Sequence, residues 1–183
     1  MNITPTPLKN VVIVETNKLA DHRGSFARLF CNQELSPLLG NRQIVQINQS
    51  LTTTKGAIRG MHFQYPPYAE MKMVRCIRGK VFDVAVDLRA NSETFLQWHA
   101  ELLTPENARM FVIPEGCAHG FQTLEPDTEL LYLHTAHYAP KHEGGVLYND
   151  PMIGIQWPIE CTEISNRDRE HTKIDTSFSG INV

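Results

Sequence analysis

From residue 57 to residue 137 the chain is cut into short β-type runs, at roughly 57–64, 71–77, 80–88, 96–103, 109–113, 119–124 and 129–137, separated by Gly, Pro, Asn or Asp turns. A side-chain period of two, broken at regular intervals by turn residues, is the pattern of strands. Hardly any helical period interrupts it. The expectation is an all-β chain, folded as an antiparallel sandwich or barrel. Arg78-Gly79-Lys80 is a tight connection, so 71–77 and 80–88 are expected to form a hairpin.

The flanks are less regular. Val11-Val12-Ile13-Val14 is a β-branched run, Asp21-His22-Arg23-Gly24 has turn chemistry, and residues 25–30 read as a further strand. Residues 32–40 suit one or two helical turns closed by Gly40. Residues 43–51 alternate, with Ile44, Gln46, Asn48 and Ser50 on one side and Val45, Ile47, Gln49 and Leu51 on the other. Gln46, Asn48 and Ser50 form a polar stripe, which suits a ligand-lining or solvated face. The charged tail, 165–175, is helical or irregular. No repeat or linker divides the 183 residues, and a single domain, 1–183, with short helices near its ends is expected.

The formal charge of -3 provides no basic field for nucleic acid or an anionic membrane, so an anionic small ligand needs local cations. Cys31, Cys76, Cys117 and Cys161 lie far apart, with no CxxC pair, and read as reduced thiols. The N-terminal residues lack the pattern of a signal peptide, and no apolar run has the length of a membrane span. These features predict a soluble, cytoplasmic protein.

Two histidines stand beside glycines at the ends of apolar runs, in Arg59-Gly60-Met61-His62-Phe63-Gln64 and in Pro114-Glu115-Gly116-Cys117-Ala118-His119-Gly120. A lone strand histidine is usually a hydrogen-bonded core residue. Arg59, Gln64 and Lys72 close by favour a functional one here. In a regular strand Ile58, Gly60, His62 and Gln64 share one face and Arg59, Met61 and Phe63 the other, but glycine at 60 allows a bulge that re-aims the chain. Lys72 shares a face with Val74 and Cys76, and a lysine facing inward is rare without a role. Asp83 and Asp87 share a face with Val81 and Ala85, and one of them can orient a histidine through its second ring nitrogen. Tyr132 is ordinary strand filling by itself.

The spacing of Gly56, His62, Gln64 and Glu70, followed by the Pro114–His119 stretch, resembles the two motifs of the cupin superfamily. A metal cupin using His62, Glu70 and His119 is therefore a competing reading. Gln64 replaces the second histidine of the first motif, and an amide is a poor ligand for zinc or iron(II).

Taken together, the motifs resemble the dTDP-4-dehydrorhamnose 3,5-epimerase family of deoxysugar nucleotide biosynthesis. Matching segments run from Asp21-His22-Arg23-Gly24 through Ile58–Gln64, Lys72–Cys76, Val81–Arg89 and Ile113–Phe121 to Tyr132, Tyr138, Glu143-Gly144-Gly145, Asn149-Asp150-Pro151 and Ile153–Pro158, nearly the whole chain in order. The resemblance implies a cupin-type jelly-roll barrel, working without metal or organic cofactor. It also implies a homodimer whose N-terminal strand contributes to the partner's site. The implied reaction inverts C3, C5 or both in a 4-keto-6-deoxyhexose carried on a nucleoside diphosphate, most simply dTDP. A mono-epimerase on another nucleotide, such as a CDP-linked sugar, is the alternative.

By the same resemblance His62 is the base and Asp168 its carboxylate partner, Lys72 holds the enolate oxygen, and Tyr132 returns a proton on the opposite face. Imidazole is suited to this work because it titrates near neutral pH. Arg23, Arg59, His119 and Arg167 match diphosphate-binding positions, and Gln46, Asn48 and Glu143 match other binding positions. Tyr138 matches the residue stacked on the base, and Asp83 is an alternative or additional partner for a pocket histidine. Arg28 and Ile47 depart from the pattern, standing where well-known members usually have glutamate and often aspartate.

Overall fold

The computed structural model describes residues 1–183. In chain order the strands are β1 (Asn2–Pro5), β2 (Val12–Glu15), β3 (Lys18–Asp21), β4 (Gly24–Ala27), β5 (Gln46–Thr52), β6 (Ala57–Gln64), β7 (Lys72–Arg78), β8 (Val81–Asp87), β9 (Trp98–Leu103), β10 (Arg109–Ile113), β11 (Cys117–Thr123), β12 (Thr128–His134), β13 (Glu143–Gly145) and β14 (Glu163–Ile164). Two helices, α1 (Asn32–Leu39) and α2 (Asn166–Arg169), complete the fold. One sheet has the order β1-β2-β10-β7-β12-β5 and the facing sheet β13-β6-β11-β8-β9, with β14 added to β6. Antiparallel neighbours separated by long crossovers make this the jelly-roll sandwich expected of the cupin type.

The hairpin expected at Arg78-Gly79-Lys80 does not form. Strand β7 pairs with β10 and β12, whereas β8 pairs with β11 and β9, so the turn carries the chain from one sheet to the other. Gly79, at φ 74°, makes that step while packed against Thr128, where a Cβ would come within 2.4 Å of the hydroxyl. The two runs therefore meet face to face. Val74 and Cys76 from β7 pack with Val81 and Ala85 from β8 in the cluster between the sheets, beside Phe111, Phe121 and Leu130.

Outer faces are covered too. Leu35 and Leu39 of α1 lie on Val12, Val14, Met73, Met110 and Leu133, the outward residues of the first sheet. Burying a leucine contributes about 1.5–3 kcal/mol. Pro37 inside this helix leaves the Gln33 carbonyl without its usual donor, and the Ser36 hydroxyl takes that place at 2.9 Å. The C-terminal segment covers the second sheet, with Ile153, Ile155, Ile174 and Ile181 on Met61, Phe63, Val84 and Val86. Apolar packing thus covers both outer faces of the sandwich. At one end, where β5, β6, β7, β11 and β12 face one another, the interior is polar and open. No helix is long and apolar enough to cross a membrane.

Candidate active site

The open end holds a cavity of about 570 Å³ lined by β5, β6, β7, β11 and β12. Its geometry depends on a bulge. His62 pairs with His119 and Arg59 with Phe121, so Gly60 and Met61 on β6 together oppose the single residue Gly120 on β11. In an unbroken strand Arg59 and His62 would point to opposite faces. The extra residue turns one of them over, and both line the cavity. Gly60, at φ 126°, is required for the crossing, because a Cβ there would sit 2.6 Å from the Gly120 Cα.

His62 Nε2 lies 2.7 Å from Asp168 Oδ1. A carboxylate only accepts, so Nε2 carries the proton and Nδ1 keeps the lone pair. Ser165 caps α2 by accepting from the Asp168 backbone N–H at 3.1 Å, which delivers the carboxylate to β6. Its other oxygen, Oδ2, accepts from the Gly60 N–H at 3.0 Å. Burial pushes the Asp168 carboxyl up, but the bond and charge of His62 and the Gly60 amide outweigh it and hold the group below the ordinary value of 3.8.

The facing sheet supplies Lys72 and Tyr132. The Lys72 ammonium, 12% exposed, lies 3.3 Å from Glu70 and donates to the His62 carbonyl at 3.4 Å, so the inward-facing lysine expected from parity is present. Glu70 also meets His134 Nδ1 at 2.8 Å, and His134 Nε2 lies 3.3 Å from the Asn48 amide. The Tyr132 hydroxyl shares a hydrogen bond of 3.1 Å with Ser50. Burial drives this phenol strongly upward, so it stays protonated as an acid.

His119 and Asp83 form a separate pair, Nε2 to Oδ1 at 2.9 Å. Asp83 is fully buried beneath His119 and does not line the cavity, so its contact is with that imidazole and not with His62. Burial raises the Asp83 carboxyl, more than His119 and Lys72 lower it. The alternative metal set of His62, Glu70 and His119 does not converge, since each is held by a different partner. Gln64 is committed elsewhere. Its amide donates to the carbonyls of Tyr68 and His137, and its oxygen accepts from the Ala139 N–H at 2.7 Å, clamping three loop residues.

A second cavity, about 520 Å³, shares Arg59 and His62 with the first and continues to Arg167 and Asp168. Along this rim Arg167 meets Glu143 at 2.5 Å, and the exposed Tyr138 donates to Glu143 at 2.8 Å. Gln46 accepts from the Tyr138 N–H at 3.1 Å. Asn48 and Ser50 line the first cavity as the polar stripe predicts, but Gln46 does not, and Ile47 and Gln49 of the other set also reach it. Arg28 instead pairs with Glu34 at 2.6 Å, outside both cavities. Gln46, Asp83, Tyr138 and Glu143 line neither cavity, and nor does Arg23. Arg23 tips the β3–β4 hairpin, with its side chain 78% exposed and paired with Asp21.

His134 had no role assigned from sequence, Glu70 figured only in the metal reading and Ser50 only in the polar stripe, yet together they hold Lys72 and Tyr132 in place. Parity offered a signal, because His134 shares a strand face with Tyr132.

Comparison with known proteins places the chain in a family. The family profile of dTDP-4-dehydrorhamnose 3,5-epimerase matches residues 5–176. The Salmonella typhimurium dTDP-4-dehydrorhamnose 3,5-epimerase is 42% identical over 180 residues, covering 97% of this chain and 98% of that one. A Legionella pneumophila dTDP-6-deoxy-D-glucose-3,5-epimerase, solved with dTDP-4-keto-L-rhamnose, superposes with a TM-score of 0.91 at 36% identity, covering 100% and 98% of the two chains. A Streptomyces bikiniensis 3'-monoepimerase, solved with dTDP-quinovose, is also similar, with a TM-score of 0.86 at 30% identity and coverage of 92% and 86%. With a profile spanning almost its full length and relatives alike from end to end, the chain belongs to the dTDP-4-dehydrorhamnose 3,5-epimerase family.

Proposed function

We propose that the chain inverts C3 and C5 of a dTDP-linked 4-keto-6-deoxyhexose. The observation that carries this is the placement of His62 and Tyr132 on the two facing sheets, with the cavity between them. A planar carbon lying between these sheets would meet a base on one face and an acid on the other, which is what inversion requires. His62 Nδ1 takes the proton beside the ketone, and the C–H electron pair moves onto the C4 oxygen as an enolate. The imidazolium that forms is held by Asp168. Lys72 stabilises the enolate oxygen, a contribution of about 3 kcal/mol for one well-placed donor. The Tyr132 hydroxyl then protonates the carbon from the opposite face, and solvent restores both groups before the second centre reacts.

Arg59 and Arg167 supply the cations for the diphosphate, with the His119 imidazole beside them, and guanidinium forks suit its oxygens. Tyr138 offers a flat exposed face to the base, beside Gln46, Asn48 and Glu143. Asp83 acts on binding through His119. The protein works as a homodimer in which the β3–β4 hairpin lends Arg23 to the partner's cavity. In support, the hairpin pairs with neither sheet and leaves Leu19 and Phe26 each 69% exposed. Four free thiols fit a cytoplasmic enzyme supplying a deoxysugar for cell-surface polysaccharide.

Inversion at C3 alone is the second reading, favoured by the similarity to the 3'-monoepimerase. Supplying dTDP-4-dehydro-6-deoxyglucose and reading the product by NMR tests both. Inversion at both carbons is expected, and inversion at C3 alone supports the narrower activity. No turnover of dTDP-, CDP- or UDP-linked keto sugars would contradict the proposal.

A further inference from the structure

One imidazole beside the base has no part in this chemistry. His171 Nε2 is buried without a hydrogen-bond partner and lies 3.6 Å from Asp168 Oδ1, the same oxygen that His62 uses. That separation is beyond hydrogen-bond range. The ring stands edge-on to His62, with centroids 5.8 Å apart. Gly145, the β13 residue paired with His62, gives it room, since a Cβ there would come within 2.3 Å of the His171 ring. One donor atom from each of His62, Asp168 and His171 falls within 4.8 Å of the others.

We propose that His62, Asp168 and His171 form a binding site for a borderline divalent cation, Zn²⁺ above all, and that its occupation switches the enzyme off. Two imidazoles and a carboxylate suit zinc, and tetrahedral donors at about 2.0–2.2 Å from the ion need only a short adjustment of these side chains. Asp168 Oδ2 is already fixed by Gly60, which leaves Oδ1 for the metal. Arg167, next to Asp168 in the chain, is tied to Glu143. The inhibitory step follows from the tautomer. A metal on His62 Nε2 displaces the proton there, and the neutral ring then carries its proton on Nδ1. The lone pair that takes the substrate proton is lost, with no net release of protons. The inhibition rests on His62 being the base, whereas the binding does not.

Two measurements on the metal-free full-length protein separate these points. Co²⁺ titration should give the intense visible bands of a four- or five-coordinate site, abolished by equimolar Zn²⁺ and absent in His171→Gln. Zn²⁺ should inhibit turnover reversibly to EDTA. In His171→Gln the half-inhibiting concentration should rise by at least about 10-fold, the loss that even an outer-shell change inflicts on a metal site, while metal-free activity stays within about twofold of wild type. Weak octahedral Co²⁺ bands in the wild-type protein overturn the proposal without reference to any variant. Equal Zn²⁺ sensitivity of the two proteins also overturns it. A metal-free wild type that turns over no keto sugar counts against the epimerase assignment instead, and leaves the Co²⁺ result to decide the site.

Discussion

Arg59 and His62 stand three residues apart on one strand and still face the same cavity, because Gly60 and Met61 together oppose Gly120. The bulge places a guanidinium and an imidazole side by side on one strand, and it brings the Gly60 amide onto Asp168. One backbone irregularity therefore sets both the direction of the His62 ring and the position of the carboxylate it meets.

Gly60→Ala should damage fold and site together. The left-handed φ costs a non-glycine residue about 1–3 kcal/mol, and forcing a methyl onto the Gly120 backbone adds roughly 1–3 kcal/mol. Urea unfolding should show a loss of at least about 2 kcal/mol. A change under about 0.5 kcal/mol, within the range of ordinary surface substitutions, would mean the bulge is not held by this contact.

Glu70 gives a pH-dependent stability difference. Burial raises its carboxyl, but His134 and Lys72 pull it below the ordinary 4.5. A depressed folded value means that the unfolded chain takes up the proton first as pH falls. The advantage of wild type over Glu70→Gln should be full above pH 4.5 and disappear as pH falls through the lower folded value. Unfolding free energies measured at a series of pH values check this, and a difference that grows toward acid would contradict it.

The lending of Arg23 across a dimer predicts complementation. Arg23→Ala should raise KM by roughly 10- to 100-fold, the worth of a charge-assisted hydrogen bond of about 1.5–3 kcal/mol, and His62→Ala should be inactive. Co-expressed, the two variants form hybrids in which one site holds both wild-type residues, so turnover with wild-type KM should return. No recovery in a purified hybrid dimer would place Arg23 outside the partner's site.

Much of the fold was legible because strand period and turn chemistry are local. The expected runs 57–64 and 109–113 are strands with those bounds, and Gly40 closes α1. Which strand pairs with which is not local. Gly79 suits a hairpin or a crossing between sheets equally well, and the outcome was decided by β10 and β12 occupying both edges of β7. Lys72 was readable from parity alone. Parity fails at Arg59, since the bulge depends on Gly120 across the ladder. Asp168 lies 106 residues from His62, and without a family pattern nothing local links them. The Glu70–His134 pair is hidden for the same reason, until the register sets His134 opposite Lys72.

The central claim, proton removal by His62 and return by Tyr132 from the opposite face, is tested most directly by NMR of the dTDP-linked 4-keto sugar incubated in D₂O. Wild type should place one solvent deuteron on each carbon it inverts. Tyr132→Phe should still exchange deuterium with retention while net inversion slows by about 10²- to 10⁴-fold, the usual worth of a general acid. Inversion by wild type without solvent deuterium, or inversion by Tyr132→Phe at the wild-type rate, would contradict the account.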